Sequence, residues 1–395
     1  MIHLPRGFIF SACAAGLKAS GKPDLAFAFA PEGASAAAMF TRNQVVAAPV
    51  TVGREHLRAA NGNIHAVIVN AGNANCATGP QGIKAAKTVC RAVASEISAI
   101  KVRPHQVFPS STGIIGVPLP VEKITQAVPG LIAAAGPDAF VAFATAIMTT
   151  DTRAKIASEE IEFNGKRAGI VGVAKGAGMI HPNLATMLVY LFTDVEASPR
   201  ELQKLLRVAA YRTFNNISVD GDTSTNDTVL LLASGKSGVP IKRVCKQFEK
   251  ALLNVCRSLA QQIIADGEGV KHVVTLKIEQ ARSMEEARQI ASTISNSPLV
   301  KTAWAGADPN WGRMLAAIGR SGVKVNSEKI NIYLGNQQIC KSGAAASFDA
   351  GKAHEYMSQP KYEIRITLGS GKTSLEFLSC DLTAEYVRIN ADYST

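Results

Sequence analysis

A chain of 395 residues that is 47% apolar and 18% charged has the composition of a folded globular protein, with room for one large domain or two to three of average size. Its 42 basic and 31 acidic side chains leave a net charge of +11, but there is no run of five basic residues and aromatics make up only 6%. The stacking platform that a nucleic-acid binder needs is missing, and anionic small substrates account for the sign of the charge. Seven cysteines, odd in number and without a C-x-x-C pair, argue against a disulfide scaffold or structural zinc and for a reducing, cytoplasmic setting.

Arg6 followed by an apolar stretch has the outline of an export leader, but Lys18, Lys22 and Asp24 come at once and Phe8, Phe10 and Ala12 alternate, which reads as a strand. Residues 64–69 form the next strand pattern. Ile83, Ala86, Cys90, Val93, Ile97 and Ile100 then step by three and four as on an amphipathic helix. The apolar stretch 130–148 is interrupted by Pro137 and Asp138, so it reads as a core helix and not a membrane span. Strands at 161–163 and 168–173 flank Asn164-Gly165, a hairpin signal, and residues 187–192 make another strand. Ser198-Pro199-Arg200-Glu201 is a capping box with Pro at the first helical position, starting a helix that runs toward Tyr211. Phe248, Leu252, Val255, Leu259 and Ile263 mark a further helix. Strands follow at 273–278, at 330–334 before a Gly335-Asn336 turn, and at 364–368 and 375–378 on either side of Gly369-Ser370-Gly371. Adjacent hairpins imply antiparallel pairing, which favours an α+β layered sandwich over a doubly wound parallel sheet. With no repeat or Pro/Ser-rich linker, a compact body is expected.

Two phosphate- or metal-like motifs fail on spacing. Gly369-Ser370-Gly371-Lys372-Thr373 resembles the end of a P-loop, but the glycine required five residues before Gly371 is Ile366. Asp220 opens a calcium-loop pattern whose sixth position is Thr225 and whose twelfth is Leu231, where Gly and Glu are needed. No H-E-x-x-H, G-x-S-x-G or helix-opening G-x-G-x-x-G occurs. What remains is a set of segments dense in Gly, Asn, Thr and Asp beside apolar strands, at 70–75, 110–116, 149–152, 175–180 and 220–227, which suit convergent hydrogen bonding to a polar ligand. Thr186 stands at the head of the 187–192 strand. On these residues alone it reads first as a plain strand residue; the alternative is a nucleophile whose own α-amine, freed by cleavage of the bond before it, serves as the base.

The motifs Lys175-Gly-Ala-Gly-Met-Ile-His-Pro-Asn-Leu-Ala-Thr186-Met-Leu188, Ser111-Thr-Gly-Ile-Ile-Gly116, Val69-Asn-Ala-Gly-Asn-Ala-Asn75, Asp220-Gly-Asp-Thr-Ser-Thr-Asn-Asp227, Gly306-Ala-Asp-Pro-Asn-Trp-Gly-Arg313 and Asn390-Ala-Asp-Tyr-Ser-Thr395 closely resemble, in the same order, those of the ornithine acetyltransferase (glutamate N-acetyltransferase) family of arginine biosynthesis. The resemblance implies a precursor that cuts itself between Ala185 and Thr186. The chains 1–185 and 186–395 then jointly form a layered α/β/β/α sandwich. It places the nucleophile on Thr186, the oxyanion hole on Thr112 and Gly113, and substrate contacts on Thr149, Lys175, Thr186, Glu268, Asn390 and Thr395. The implied reaction moves acetyl from N2-acetylornithine to Thr186 and on to glutamate. No cofactor or metal is needed, and use of acetyl-CoA as a second acetyl donor is left open. The implied partners are small-molecule amino acids and a second cleaved copy in an α2β2 particle, with no nucleic acid and no membrane. A hydrolase of the N-terminal-nucleophile aminopeptidase or amidase kind is the alternative. After Asp266-Gly-Glu-Gly269 the family reads Ala-Thr-Lys where this chain has the shorter Val270-Lys271.

Overall fold

The computed structural model describes residues 2–181 and 187–392. Its first elements are β1 (Ile9–Cys13), β2 (Leu25–Phe40), α1 (Ala48–Ala59), β3 (Asn63–Asn73), α2 (Gly79–Glu96), β4 (Val107–Ile114), α3 (Val121–Ala133) and α4 (Phe140–Ala146). There follow β5 (Lys155–Phe163), β6 (Lys166–Lys175), β7 (Leu188–Thr193), α5 (Pro199–Arg212), β8 (Ile217–Ser218), β9 (Thr228–Ala233) and α6 (Ile241–Ala265). The remainder is β10 (Val273–Ala281), α7 (Met284–Ser295), α8 (Pro298–Ala305), α9 (Trp311–Gly319), β11 (Asn331–Leu334), β12 (Gln337–Lys341), β13 (Ala344–Ala345), α10 (Ala350–Met357), β14 (Lys361–Thr367), β15 (Thr373–Cys380) and α11 (Ala384–Asp392). The architecture is α+β. Among the described residues no helix is long and apolar enough to cross a membrane.

Two compact units emerge. The first takes the described residues of Met1–Gly176, Asn183–Phe214 and Thr223–Ala260, and the second those of Ala177–Pro182, Asn215–Asp222 and Gln261–Thr395. In the first unit the described strands make one sheet in the order β4-β3-β2-β9-β7-β6-β5, with β1 also on β2. The long strand β2 makes this possible: Leu25 to Phe29 pair with β1, and Ser35 to Phe40 pair with β9. Alternation assigns the two faces. Ala26, Ala28, Val67, Val69, Val171, Val173, Tyr190, Phe192 and Leu230 share one core with Phe140 and Phe143 of α4. Phe10 of β1 meets Phe192 of β7 edge-on at 5.0 Å, a contact between strands that are not sheet neighbours, so the sheet curls around this core. On the outer face, Phe27 and Ile68 pack with Val89 and Val93 of α2 and Ile124 and Leu131 of α3. Gly172 leaves room on the other half for α6, because a Cβ there would lie 2.8 Å from Leu259 and 2.9 Å from Val255 side-chain carbons. Within this unit the layers therefore run helix, sheet, sheet, helix.

The second unit has a sheet in the order β13-β12-β11-β14-β10-β15-β8 among its described strands. Leu276 and Ile278 of β10, Ile364 and Ile366 of β14 and Phe377 of β15 pack with Ile290 and Ile294 of α7, Trp304 of α8 and Ile318 of α9.

Local signals held where the chain folds on itself. Asn164 and Gly165 take φ of 50° and 73°, the left-handed pair of a tight hairpin between β5 and β6. The capping box at α5 closes in both directions, with Ser198 N–H donating to Glu201 Oε2 at 2.9 Å and Glu201 N–H to Ser198 Oγ at 3.4 Å. Three expectations are corrected. The apolar stretch 130–148 is two helices, because extended Gly136 pairs with Phe10 between α3 and α4. Helix α2 stops at Glu96, short of Ile97 and Ile100, although Ile97 stays buried beyond its end. The strands flanking Gly369-Ser370-Gly371 do not pair with each other: β10 lies between them, parallel to β14 and antiparallel to β15. Ser370 and Gly371 N–H both donate to the Gln280 carbonyl, at 2.9 and 2.8 Å, so this turn spans the intervening strand. With β3–β4, β7–β9 and β8–β15 parallel as well, both sheets are mixed and not antiparallel.

Removing one half of the capping box tests its weight. Ser198→Ala should lower stability by about 1 kcal/mol, read as a lower urea midpoint at unchanged slope; an unmoved midpoint would mean tertiary packing alone holds the start of α5.

Candidate active site

In the first unit, the polar segments 70–75, 110–116 and 149–152 lie at or beside strand ends. β3 and β4 run parallel, and their registers shift at Gly72 and Asn73, against Gly113 and Ile114. Gly113 has φ of +131°, and a Cβ on it would fall 2.3 Å from the Gly72 carbonyl carbon; no other residue fits this backbone-on-backbone approach. The buried amides brace the loop. Asn70 accepts from Ser111 Oγ at 2.6 Å and donates to the Asn73 carbonyl at 2.8 Å, while Asn226 donates to the carbonyls of Ala74 (2.7 Å) and Ser111 (2.9 Å). Thr112 is thereby held on a braced strand end, next to Gly113.

Lys175, the last residue of β6, is 4% exposed and its ammonium donates to Thr112 Oγ1 at 3.2 Å. A lysine is buried at such a place only with opposite charge nearby. Asp151 provides it, and Asp227 is a second buried carboxyl close enough to feel the same ammonium. The Asp151 and Lys155 side chains are fully buried and 2.5 Å apart, and Asp151 also accepts from Gly176 N–H (2.6 Å) and Thr149 N–H (3.0 Å). Burial alone pushes this carboxyl up, but the Lys175 and Lys155 charges and the Gly176 N–H outweigh it and hold its pKa below the usual value. Asp227 is the opposite case. Burial drives its carboxyl well above the ordinary range, only partly offset by the Met187 N–H and by Lys175. Its Oδ1 accepts from Met187 N–H at 3.0 Å, and its buried Oδ2 has no hydrogen-bond partner among the described residues.

A separate cluster forms within the second unit. Asn390 of α11 donates to Glu268 Oε2 at 2.9 Å, and Glu268 N–H donates to the Ala177 carbonyl at 3.0 Å. Gly178 admits the carboxylate, since a Cβ there would lie 2.5 Å from Glu268 Oε2. Asp220 accepts from the N–H groups of Met179 (2.5 Å) and Ile180 (2.9 Å), and burial pushes its carboxyl up. Tyr386 donates to Asp220 at 3.3 Å; burial and the Asp220 and Glu268 charges raise its hydroxyl pKa. The short segment after Glu268 is pinned, with Lys271 and His272 N–H both on Asp381 Oδ1 at 3.0 and 3.2 Å.

Thr112, Gly113, Lys175 and, through Asp151, Thr149 are thus brought together in one unit, and Glu268 and Asn390 in the other. Ala185, Thr186 and Thr395 lie outside the described residues. The sequence reading missed Asp151, Lys155, Asp220, Asp227 and Tyr386 as contributors. Asp151, Asp220 and Asp227 sit in polar segments it had singled out, but a carboxylate's burial is not visible in a local pattern.

The ArgJ family profile matches residues 9–395. Proteins named arginine biosynthesis bifunctional protein ArgJ from Methylococcus capsulatus and Chlorobaculum tepidum are each 43% identical, the first over 98% of this chain and 95% of its own, the second over 99% and 96%. The chain belongs to the ArgJ family. A solved ornithine acetyltransferase from Mycobacterium tuberculosis, complexed with ornithine, is 37% identical and aligns over 45% of this chain and 92% of that chain with a TM-score of 0.39. The family profile and the curated relatives bear out the resemblance carried by the motifs along nearly the whole chain.

The buried pair under Lys175 gives a stability test. Asp151→Ala removes the carboxylate that neutralises Lys155 and should destabilise by about 3–5 kcal/mol. Because the folded pKa of Asp151 is lowered, its contribution is complete above the unfolded value near ~3.9 and fades as pH falls through the folded one. Asp151→Asn should accordingly lose stability at neutral pH and show a flatter acid limb in thermal melts between about pH 5 and pH 2; an acid limb as steep as wild type would show that other carboxylates set it.

Proposed function

We propose that this ArgJ-family chain is a self-cleaving acetyltransferase of arginine biosynthesis, carrying acetyl from N2-acetylornithine to glutamate on Thr186. The observation that carries the reading is the Thr112–Gly113 strand end joined to buried Lys175, in the unit that also holds Met187, the residue bonded to Thr186. A hydroxyl and a backbone N–H side by side on a rigid element are what a developing oxyanion requires.

In maturation the Thr186 hydroxyl attacks the Ala185 carbonyl and the amide C–N bond breaks, so the peptide becomes an ester and the Thr186 α-amine is freed; water then hydrolyses the ester, releasing the Ala185 carboxylate and restoring the Thr186 hydroxyl. In turnover the same hydroxyl attacks the acetyl carbonyl while the α-amine takes its proton, and ornithine leaves with that proton; the glutamate amine then attacks the acetyl-threonine ester, the ester C–O bond breaks, and the proton the amine gives up passes through the α-amine to restore the Thr186 hydroxyl. Thr112 and Gly113 stabilise the oxyanion in each step. Thr149, Lys175, Asn390 and Thr395 suit the polar and carboxylate groups of the amino-acid substrates, and Glu268 suits an ammonium. This chemistry calls for no cofactor or metal. Acetyl-CoA as an added acetyl donor fits the word bifunctional in the names of the relatives, and glutamate acetylation from acetyl-CoA alone tests it. A cytoplasmic setting and an α2β2 particle of two cleaved precursors complete the reading; light scattering giving a single 41.6 kDa species would contradict that assembly.

Two measurements decide the reaction. Wild type should run as two bands of about 19 and 22 kDa, in proportion to 185 and 210 of the 395 residues and 41.6 kDa, the larger beginning at Thr186, while Thr186→Ala stays a single band without activity. Double-reciprocal plots should be parallel, as a ping-pong acetyl-enzyme requires; intersecting lines, or acetylornithine consumed equally fast without glutamate, would replace transfer by direct displacement or hydrolysis.

A further inference from the structure

Lys175 has a carboxylate-binding role in the reading above, yet its surroundings are those of a charge already spent. It is nearly fully buried, it lies under the influence of two buried carboxylates, Asp151 from the α4–β5 connection and Asp227 ahead of β9, and its ammonium donates to the Thr112 hydroxyl at 3.2 Å. A hydroxyl has one proton to give and two lone pairs. Once one lone pair receives an ammonium N–H, the hydroxyl is polarised, and its own proton is directed away from the lysine.

We infer that Lys175 is a positioning residue of the oxyanion hole: by donating to Thr112 Oγ1 it turns the Thr112 proton toward the carbonyl oxygen that Thr186 attacks. This rests on Thr112 serving as an oxyanion donor, and goes beyond substrate contact because it operates when no substrate is present. Asp151, held below the usual carboxylate range in part by Lys175, is its charge partner and fixes the end of β6 through the Gly176 N–H at 2.6 Å; Asp227 is a second buried carboxyl beside the ammonium. The Thr41 and Ser224 hydroxyls stand beside Asp227, Thr41 donating to the Ser224 carbonyl at 2.7 Å, and add no charge.

Self-cleavage is the discriminating experiment, since the Ala185 carbonyl is attacked by the same Thr186 hydroxyl without any substrate carboxylate in the site. The precursor is followed to its two fragments in wild type, Lys175→Met, Lys175→Arg, Thr112→Val and the Lys175→Met/Thr112→Val double variant, with circular dichroism confirming the fold. Lys175→Met should slow cleavage on the order of tenfold or more, Lys175→Arg should recover part of it by keeping an N–H donor, and the double variant should be no slower than Thr112→Val alone. A second assay uses an acetyl ester without a carboxylate, p-nitrophenyl acetate, on the matured fraction. There the loss in Lys175→Met should fall on kcat and not on KM, and this assay with Lys175→Arg decides the matter if Lys175→Met does not fold. Lys175→Met that cleaves at the wild-type rate, penalties that multiply in the double variant, or an unchanged kcat on the ester would each overturn the inference while leaving the function intact. Wild type that never cleaves would overturn the functional reading first.

Discussion

A carboxylate cannot be buried without charge or donors to meet it, and the arrangement around Asp151 is organised by that requirement. Its side chain takes the Lys155 ammonium, the Gly176 N–H and the Thr149 N–H. These partners come from the start of β5, the end of β6 and the loop after α4, so one group ties three chain segments. Replacing such a cluster by apolar side chains would often be no less stable. Its worth is in placement: the end of β6 is where Lys175 stands, and Lys175 reaches Thr112 on β4, at the opposite edge of the sheet order from β5 and β6. Strands far apart in that order are joined here because the sheet curls.

Backbone geometry imposes the second constraint. Gly113 approaches Gly72 so closely that a Cβ has no place, and the buried Asn70, Asn73 and Asn226 amides spend their hydrogen bonds on the same loop. Rigid donors cost no reorganisation when charge develops, which is why such groups are effective around an oxyanion. Asp227 adds a different kind of cost. It anchors the Met187 amide next to Thr186 and leaves one buried oxygen without a partner among the described residues, and that burial is what drives the carboxyl up.

How much of this was legible in the sequence depends on the range of the interaction. Asn164-Gly165 and Ser198 to Glu201 specify their turn and cap through neighbours two or three residues away, and they appear as read. Gly369-Ser370-Gly371 has equally good turn chemistry and alternating flanks, but turn residues say only that the chain reverses, not whether a third strand enters the gap; β10, about ninety residues earlier, does. Gly136 likewise splits an apolar stretch because Phe10, far upstream, pairs with it.

By itself the sequence determined the α+β class, most element positions, the polar segments beside the strands, and membership of the ArgJ family, since each depends on local periodicity or on ordered motifs. Tertiary structure alone decided which strands are parallel, that one curled sheet supplies two layers, and which polar residues are buried. Burial is the physical reason for the difference. Lys175, Asp151 and Asp227 are ordinary charged residues in a sequence; the Lys175–Thr112 hydrogen bond and the shifted pKa values of Asp151 and Asp227 exist only because packing removes water from around them.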